Sequence, residues 1–119
     1  MTDYRGVMGS EAEDLAAAYL ESIGLEIVER NIRFKVGELD MVARDGEVIV
    51  FVEVRSRTRP DIHPAATVTL PKRRRIARAA QAYLQRHRLW HLMARFDVVA
   101  VSLSEGSVEH IANAFEAVR

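Results

Sequence analysis

The sequence of 119 residues contains no cysteine. This absence excludes disulfide bonds, thiolate metal sites and a cysteine nucleophile, and it fits the reducing environment of the cytoplasm. No apolar run approaches the roughly 20 residues that a membrane-spanning helix needs. The first residues also lack the apolar stretch of a signal peptide. We therefore expect a cytoplasmic protein that does not contact a membrane.

An excess of charge of either sign is also absent, because 17 basic residues balance 17 acidic ones. No overall field would draw the chain to nucleic acid or to a lipid surface, so any such attraction has to be local. Hydrophobic residues make up 49% of the sequence, which is enough for a modest core. We expect a single domain that spans residues 1–119.

The pattern of the chain predicts two helices and five strands in the order α-β-β-β-α-β-β. Ser10-Glu-Ala-Glu13 is typical of a capping box and Gly24 of a helix end, so the first helix is expected from about Ser10 to Ile23. A second helix is expected to begin near Thr69–Pro71. Strands are expected at residues 25–33, 37–44, 47–55, 95–103 and 108–111, with a loop at 56–69.

The segment Val48–Arg55 reads VIVFVEVR, a run that is typical of a strand covered on both faces. Glu53 and Arg55 interrupt this apolar pattern. Ionised groups in such a place cost several kcal/mol unless they are paired or bound to a metal. Both residues therefore need partners, and the acidic segment Gly37-Glu-Leu-Asp40 lies just upstream.

The two acidic segments are joined by a predicted hairpin. Asp45-Gly46 indicates a two-residue turn that is closed by Arg44 and Glu47. Counting back from that closing pair places Asp40 opposite Phe51.

In this register Glu38 lies opposite Glu53, and Glu38, Asp40, Glu53 and Arg55 share one face. Asp40 and Glu53 become a diagonal pair about 7–8 Å apart at the backbone. Two carboxylates with water suit Mg²⁺ or Mn²⁺, so we expect Asp40 and Glu53 to bind one such cation. The competing interpretation is that Arg55 simply neutralises Glu53 while Glu38 and Asp40 face water.

Basic residues cluster around the predicted second helix. Such a patch on a neutral protein indicates contact with phosphates, although a solvated helix face would look the same. The candidate nucleic-acid-binding residues are Arg57, Lys72, Arg73, Arg74, Arg75 and Arg78.

This element order, with Gly37-Glu-Leu-Asp40 followed by Phe51-Val-Glu-Val-Arg55, resembles the uncharacterised bacterial YraN family, also called UPF0102. Asn31, Lys72 and Arg95-Phe-Asp97 extend the likeness along the chain. The family resembles the PD-(D/E)xK nuclease superfamily. That resemblance implies an α/β fold with an αβββαβ restriction-endonuclease-like core, a mixed central sheet flanked by helices.

The superfamily motif falls on Asp40 and Glu53, with Arg55 where the superfamily has lysine. The resemblance implies that Asp40 and Glu53 hold the metal and that Glu38 is an additional or outer ligand. Glu13 would be the acid of the first helix, although the capping box also explains it. Arginine keeps the positive charge of the lysine but cannot accept a proton.

The leading expectation is a metal-dependent endonuclease that acts on DNA, which is favoured over RNA, or on a structured junction. The alternative is a nucleic-acid-binding module on a nuclease fold without independent catalysis. A third interpretation is a metal-independent RNA endonuclease that uses His63. Trp90 is either a packing residue of its loop or a contact in a homodimer, and we expect packing.

Overall fold

The computed structural model describes residues 4–57 and 61–117. Within these ranges two α-helices and five strands occur in the predicted order, and a short 3₁₀ helix at Pro64–Thr67 precedes the second α-helix. The elements are α1 (Tyr4–Ser22), β1 (Glu26–Phe34), β2 (Gly37–Asp45), β3 (Val48–Ser56), α2 (Leu70–Arg86), β4 (Ala94–Ser102) and β5 (Ser107–Phe115).

The strands form one mixed sheet in the order β1-β2-β3-β4-β5. β3 and β4 are parallel, as their connection through α2 requires, and all other neighbours are antiparallel. Val50 and Val52 pack in the cluster beneath α1, whereas Phe51 packs in the cluster beneath α2. The predicted α/β class is confirmed, and a mixed sheet with a helix on each face is consistent with a restriction-endonuclease-like core.

Helix α1 begins earlier than predicted, at Tyr4, so Ser10 lies inside the helix. A capping box needs its serine before the first turn, so the prediction that Ser10 and Glu13 form one was wrong. The first turns of the helix were not predicted because two glycines precede Ser10, and glycine is a poor helix former. The predicted helix end is confirmed, since Gly24 adopts a φ of +97°.

The β2–β3 hairpin has a two-residue turn, but Asp45 and Val48 close it instead of Arg44 and Glu47. Gly46 occupies the first loop position with a φ of +61°, the pattern of a type II′ turn. The predicted closing pair was wrong because Asp-Gly can also place its glycine first in the loop, with the aspartate still in the strand. The register moves by two residues, which leaves each side chain on its predicted face.

Helix α2 is fixed at its start by Thr69, whose hydroxyl accepts the Lys72 N–H at 3.3 Å. The beginning of β2 lies directly against this helix. A Cβ on Gly37 would stand 2.7 Å from the carbonyl oxygen of Arg75, so only glycine fits there without a shift of the backbone. In the described ranges, neither helix has the length and apolar composition to cross a bilayer.

Candidate active site

Strands β2 and β3 separate at Asp40. β2 pairs with β3 only from Asp45 back to Met41, whereas β1 continues along β2 as far as Gly37. Asp40 is the first residue beyond the β2–β3 ladder, and its Oδ2 accepts the Val54 N–H at 2.9 Å. The side chain therefore satisfies a backbone donor that the ladder no longer reaches. We call this point the fork.

Asp40 and Glu53 face each other across the fork. One step beyond the Met41–Val52 pair places Asp40 opposite Glu53 rather than opposite Phe51, as predicted. Directly opposite residues stand about 4.5–5.5 Å apart at Cβ, closer than the predicted diagonal. Glu53 is only 5% exposed. Burial, followed by the Asp40 carboxylate, raises the pKa of Glu53 from 4.5 to about 8.

Two cations face the Glu53 carboxylate and act against this increase. Lys72 Nζ lies 3.6 Å and Arg55 Nη1 lies 3.7 Å from Glu53 Oε1. Both charges lower the pKa of Glu53, Lys72 more than Arg55. The pairing with Arg55 was part of the competing interpretation of the sequence, and Lys72 was expected only in a phosphate-binding surface. The side chains of Lys72 and Arg55 are about a third exposed, so the cations reach solvent while the carboxylate does not.

Arg55 is also tied to the 3₁₀ helix. Its Nε donates to Thr67 Oγ1 at 3.3 Å, and its Nη2 donates to the Thr67 carbonyl oxygen at 3.2 Å. The Thr67 hydroxyl in turn donates to the Pro64 carbonyl oxygen at 2.7 Å. His63, the candidate for acid–base chemistry, accepts the Ala65 N–H on its Nδ1 at 3.2 Å. His63 thus caps the 3₁₀ helix.

Glu13 of α1 contacts β1, the strand next to β2. It accepts a hydrogen bond from Asn31 Nδ2 at 3.0 Å and forms an ion pair with Arg30 at 3.5 Å. Asn31 has a φ of 55° and falls opposite Asp40 in the β1–β2 register. Glu13, Asn31, Asp40 and Glu53 therefore come from four consecutive elements of the structure, α1 and β1 to β3.

Glu38 lies outside the carboxylate pair. The prediction that it stands opposite Glu53 was wrong, because the β2–β3 ladder ends at Met41 and Val52 before it reaches Glu38. The Glu38 side chain is 61% exposed and forms an ion pair with Arg33 at 3.3 Å on the neighbouring strand.

The chemistry of Asp40 and Glu53 fits a hard divalent cation. Mg²⁺ usually keeps several waters and binds to proteins through one or two carboxylates, so the pair is a sufficient donor set. Across residues 4–57 and 61–117 the structure contains no group of three or more aspartate, glutamate or histidine residues arranged to hold a metal. Burial is the main cause of the raised pKa of Glu53 and the Asp40 carboxylate adds to it, so a cation held by both carboxylates would lower this pKa.

A family model described as "Uncharacterised protein family UPF0102" matches residues 12–101. The chain belongs to the UPF0102 family. It is 46% identical over 114 residues to the UPF0102 protein GSU0650 of Geobacter sulfurreducens, which covers 92% of this chain and 89% of that protein. A UPF0102 protein of Syntrophotalea carbinolica is 48% identical over 120 residues, covering 98% of this chain and 97% of the relative. The resemblance to the UPF0102 family, drawn from the sequence motifs, is thus confirmed.

In this UPF0102 protein the candidate nucleic-acid-binding residues differ in their contacts. Arg73 points inward, where its Nε and Nη2 donate to the carbonyl oxygens of Val68 and Ala65 at 2.9 and 2.8 Å. Its guanidinium also lies 5.0 Å from the centre of the Phe115 ring. Arg57 forms an ion pair with Glu109 of β5. The exposed cations among them are Arg74, Arg75 and Arg78.

The sequence interpretation did not assign any role to Asp97, which is fully buried in β4. Its carboxylate accepts hydrogen bonds from Arg95 at 3.0 and 3.3 Å and from the Asn113 N–H at 2.9 Å, and it lies 2.7 Å from His110 Nε2. Asp97 pairs with Val52, so it faces α1 while Glu53 faces α2. Asp97 could have been recognised from the sequence as a single acidic residue in an apolar strand, as Glu53 was.

The loop after α2 exposes two large apolar side chains. Trp90 is 64% and Met93 is 76% exposed. The expectation that Trp90 packs within its loop was wrong. A contact of Trp90 in a homodimer stays a prediction.

Proposed function

We propose that this UPF0102 protein is a metal-dependent endonuclease that hydrolyses phosphodiester bonds in DNA or in a structured nucleic acid. The observation that carries the proposal is the fork, where the Asp40 and Glu53 carboxylates lie side by side and two cations approach Glu53. Phosphodiester hydrolysis needs an activated water and positive charge near the phosphate oxygens. A carboxylate pair that can hold a cation, beside two positively charged side chains, fits both needs.

Asp40 and Glu53 would hold Mg²⁺ or Mn²⁺. When bound, the ion lowers the pKa of a coordinated water and neutralises charge that develops on the phosphate. The Val54 N–H, which donates to Oδ2, orients the Asp40 carboxylate beside Glu53. Arg55 is held in position by Thr67, so its positive charge stays beside the carboxylate pair.

The exposed arginines of α2 would bind the nucleic-acid backbone. Arg74 and Arg78 are separated by four positions and share one face of the helix, while Arg75 is the neighbour of Arg74 on the side of β2. Such contacts fix the position of a strand without reading its sequence. Because Lys72, in the first turn of α2, lies at the fork, a backbone bound along this helix would lead to the carboxylates.

A cleavage screen tests the proposal. Purified protein is incubated with single-stranded, duplex, flap and four-way-junction DNA, and with matching RNA, in the presence of Mn²⁺ or Mg²⁺. We expect metal-dependent cleavage of at least one substrate and its loss in Asp40→Asn, which keeps an acceptor for the Val54 N–H. Absence of cleavage by the wild type in every combination, or equal cleavage by Asp40→Asn, would contradict the proposal.

One observation favours the alternative function, a nucleic-acid-binding module without independent catalysis. Lys72 and Arg55 lie 3.6 and 3.7 Å from Glu53 Oε1, so side chains of the protein itself already place positive charge beside this carboxylate. In that case the wild type would bind nucleic acid with a salt dependence that Arg74→Gln reduces, and it would cleave none of the substrates of the screen.

A further inference from the structure

The position of Lys72 is not explained by the stability of its helix. Lys72 is the third residue of α2, at the end where the helix dipole is positive, and three arginines follow it. Acidic residues are the favoured charge in a first turn, and this one has none. The charge of Lys72 is balanced instead from outside the helix, by Glu53 of β3 at 3.6 Å.

Arg55 and Lys72 differ in how far their donors are committed. Arg55 donates from both Nε and Nη2 to Thr67, so the protein itself holds one side of its guanidinium. Lys72 has three N–H donors on a flexible stem, and its ion pair with Glu53 is long, at 3.6 Å. Both side chains are about a third exposed, so the two residues differ in the freedom of their donors and not in their access to solvent. A phosphate that arrives at Glu53 from solvent can therefore be met by Lys72, whose ammonium can turn toward it, whereas Thr67 holds the Arg55 guanidinium in one orientation.

We propose that Lys72 is the catalytic cation of the site and that Arg55 is a positioning residue that ties β3 to the 3₁₀ helix. This inference rests on the proposed function. In the reaction, a water oxygen forms a bond to phosphorus and the bond from phosphorus to the leaving sugar oxygen breaks. One proton of the water ends on the sugar oxygen through solvent, and the other stays on the new phosphate until that group ionises. Lys72 keeps its protons and donates to a non-bridging oxygen that gains charge.

The proposal predicts opposite effects of one substitution on two measurements. Lys72→Gln removes the donor to the phosphate, so single-turnover cleavage at saturating Mn²⁺ should fall by about 10²-fold or more. The same change removes a cation that competes for Glu53, so the affinity for Mn²⁺ without substrate should rise or stay equal. Lys72→Arg, which keeps the charge, should recover part of the cleavage rate.

The matched control is Lys35→Gln, which removes the same charge from an exposed turn and should cleave like the wild type. If the wild type cleaves and Lys72→Gln cleaves within about threefold of Lys35→Gln, the inference is overturned while the proposed function stands. If Lys72→Gln loses Mn²⁺ affinity together with cleavage, or if folded Lys72→Arg is no better than Lys72→Gln, Lys72 does not act on the phosphate. A wild type that cleaves nothing overturns the proposed function and this inference with it.

Discussion

The carboxylate of Asp40 accepts the backbone N–H of Val54 at 2.9 Å, across the point where two strands part. A side chain here replaces a ladder bond and at the same time aims a carboxylate toward Glu53. One residue thus terminates the pairing of β2 with β3 and supplies half of the proposed metal site.

The first prediction concerns metal binding at the fork. Asp40→Asn keeps an acceptor for Val54 but loses the charge, so the affinity for Mn²⁺ should fall by at least about tenfold, which corresponds to about 1.4 kcal/mol. Titration calorimetry of the purified protein measures it. Glu47→Gln, at the exposed hairpin tip, is the control for charge alone. Equal Mn²⁺ binding by Asp40→Asn and the wild type would place the ion elsewhere.

The second prediction concerns the pH dependence of stability without metal. The pKa of Glu53 is about 8 in the folded protein against an ordinary 4.5, so the folded state holds this proton more tightly than the unfolded chain does. The stability from this proton is therefore complete below about pH 4.5 and is lost as the pH rises through about 8. Over this window the free energy of unfolding should fall by up to about 1.4 kcal/mol per pH unit because of Glu53.

Glu53→Gln cannot ionise, so it should remove this component of the pH dependence. Urea denaturation in the presence of a chelator, repeated across the window, should show a stability difference between Glu53→Gln and the wild type that grows with pH. Curves that run parallel would mean that Glu53 is already ionised throughout the window.

The third prediction separates two adjacent arginines of α2. Arg73→Gln loses charged hydrogen bonds to two buried carbonyl oxygens, so it should destabilise the protein by about 1.5–3 kcal/mol. Arg74→Gln is exposed and should leave stability unchanged, but it should lower the slope of log binding constant against log salt by about 0.9. Denaturation and binding to a labelled duplex measure the two effects. A lower slope for Arg73→Gln at unchanged stability would reverse this assignment.

The fourth prediction concerns the buried carboxylate of β4. Asp97→Asn presents an amide to donors on Arg95 and Asn113 and leaves the Arg95 charge less compensated, so we expect a loss of about 3–5 kcal/mol of stability. Asp45→Asn, which loses one contact with Arg95 at a half-exposed position, should cost no more than about 1 kcal/mol. Thermal denaturation of both variants measures the two losses of stability. A cost below about 1 kcal/mol for Asp97→Asn would show that the network is dispensable.

The carboxylate pair could be predicted from the sequence because it depends on local chemistry. An acid in an apolar strand needs a partner, and a two-residue turn keeps the faces of a hairpin even when its register moves by two. The predicted closing pair was wrong, yet Asp40 and Glu53 lie on one face as predicted, and they lie directly opposite each other instead of diagonally. Asp97 carried the same signal as Glu53 and could have been found by the same argument.

The contacts of α2 could not be predicted in this way. Whether Lys72 reaches Glu53 depends on where the helix lies across the sheet, which neither residue encodes locally. The run from Lys72 to Arg75 looks uniform in the sequence. In the structure one member faces a carboxylate and the next binds two carbonyl oxygens, since consecutive helical residues point in directions about 100° apart.

The contact between Gly37 and the Arg75 carbonyl oxygen changes how the segment Gly37-Glu-Leu-Asp40 should be used as a marker. Its glycine is required by the docking of a helix, whereas its aspartate is the residue assigned to chemistry. Under the proposed function, a relative without catalysis would still need the glycine, and one with a shifted second helix could lose it and keep the site. The aspartate would then report on the proposed activity among relatives, whereas Gly37, three residues earlier, would report on the packing of the helix.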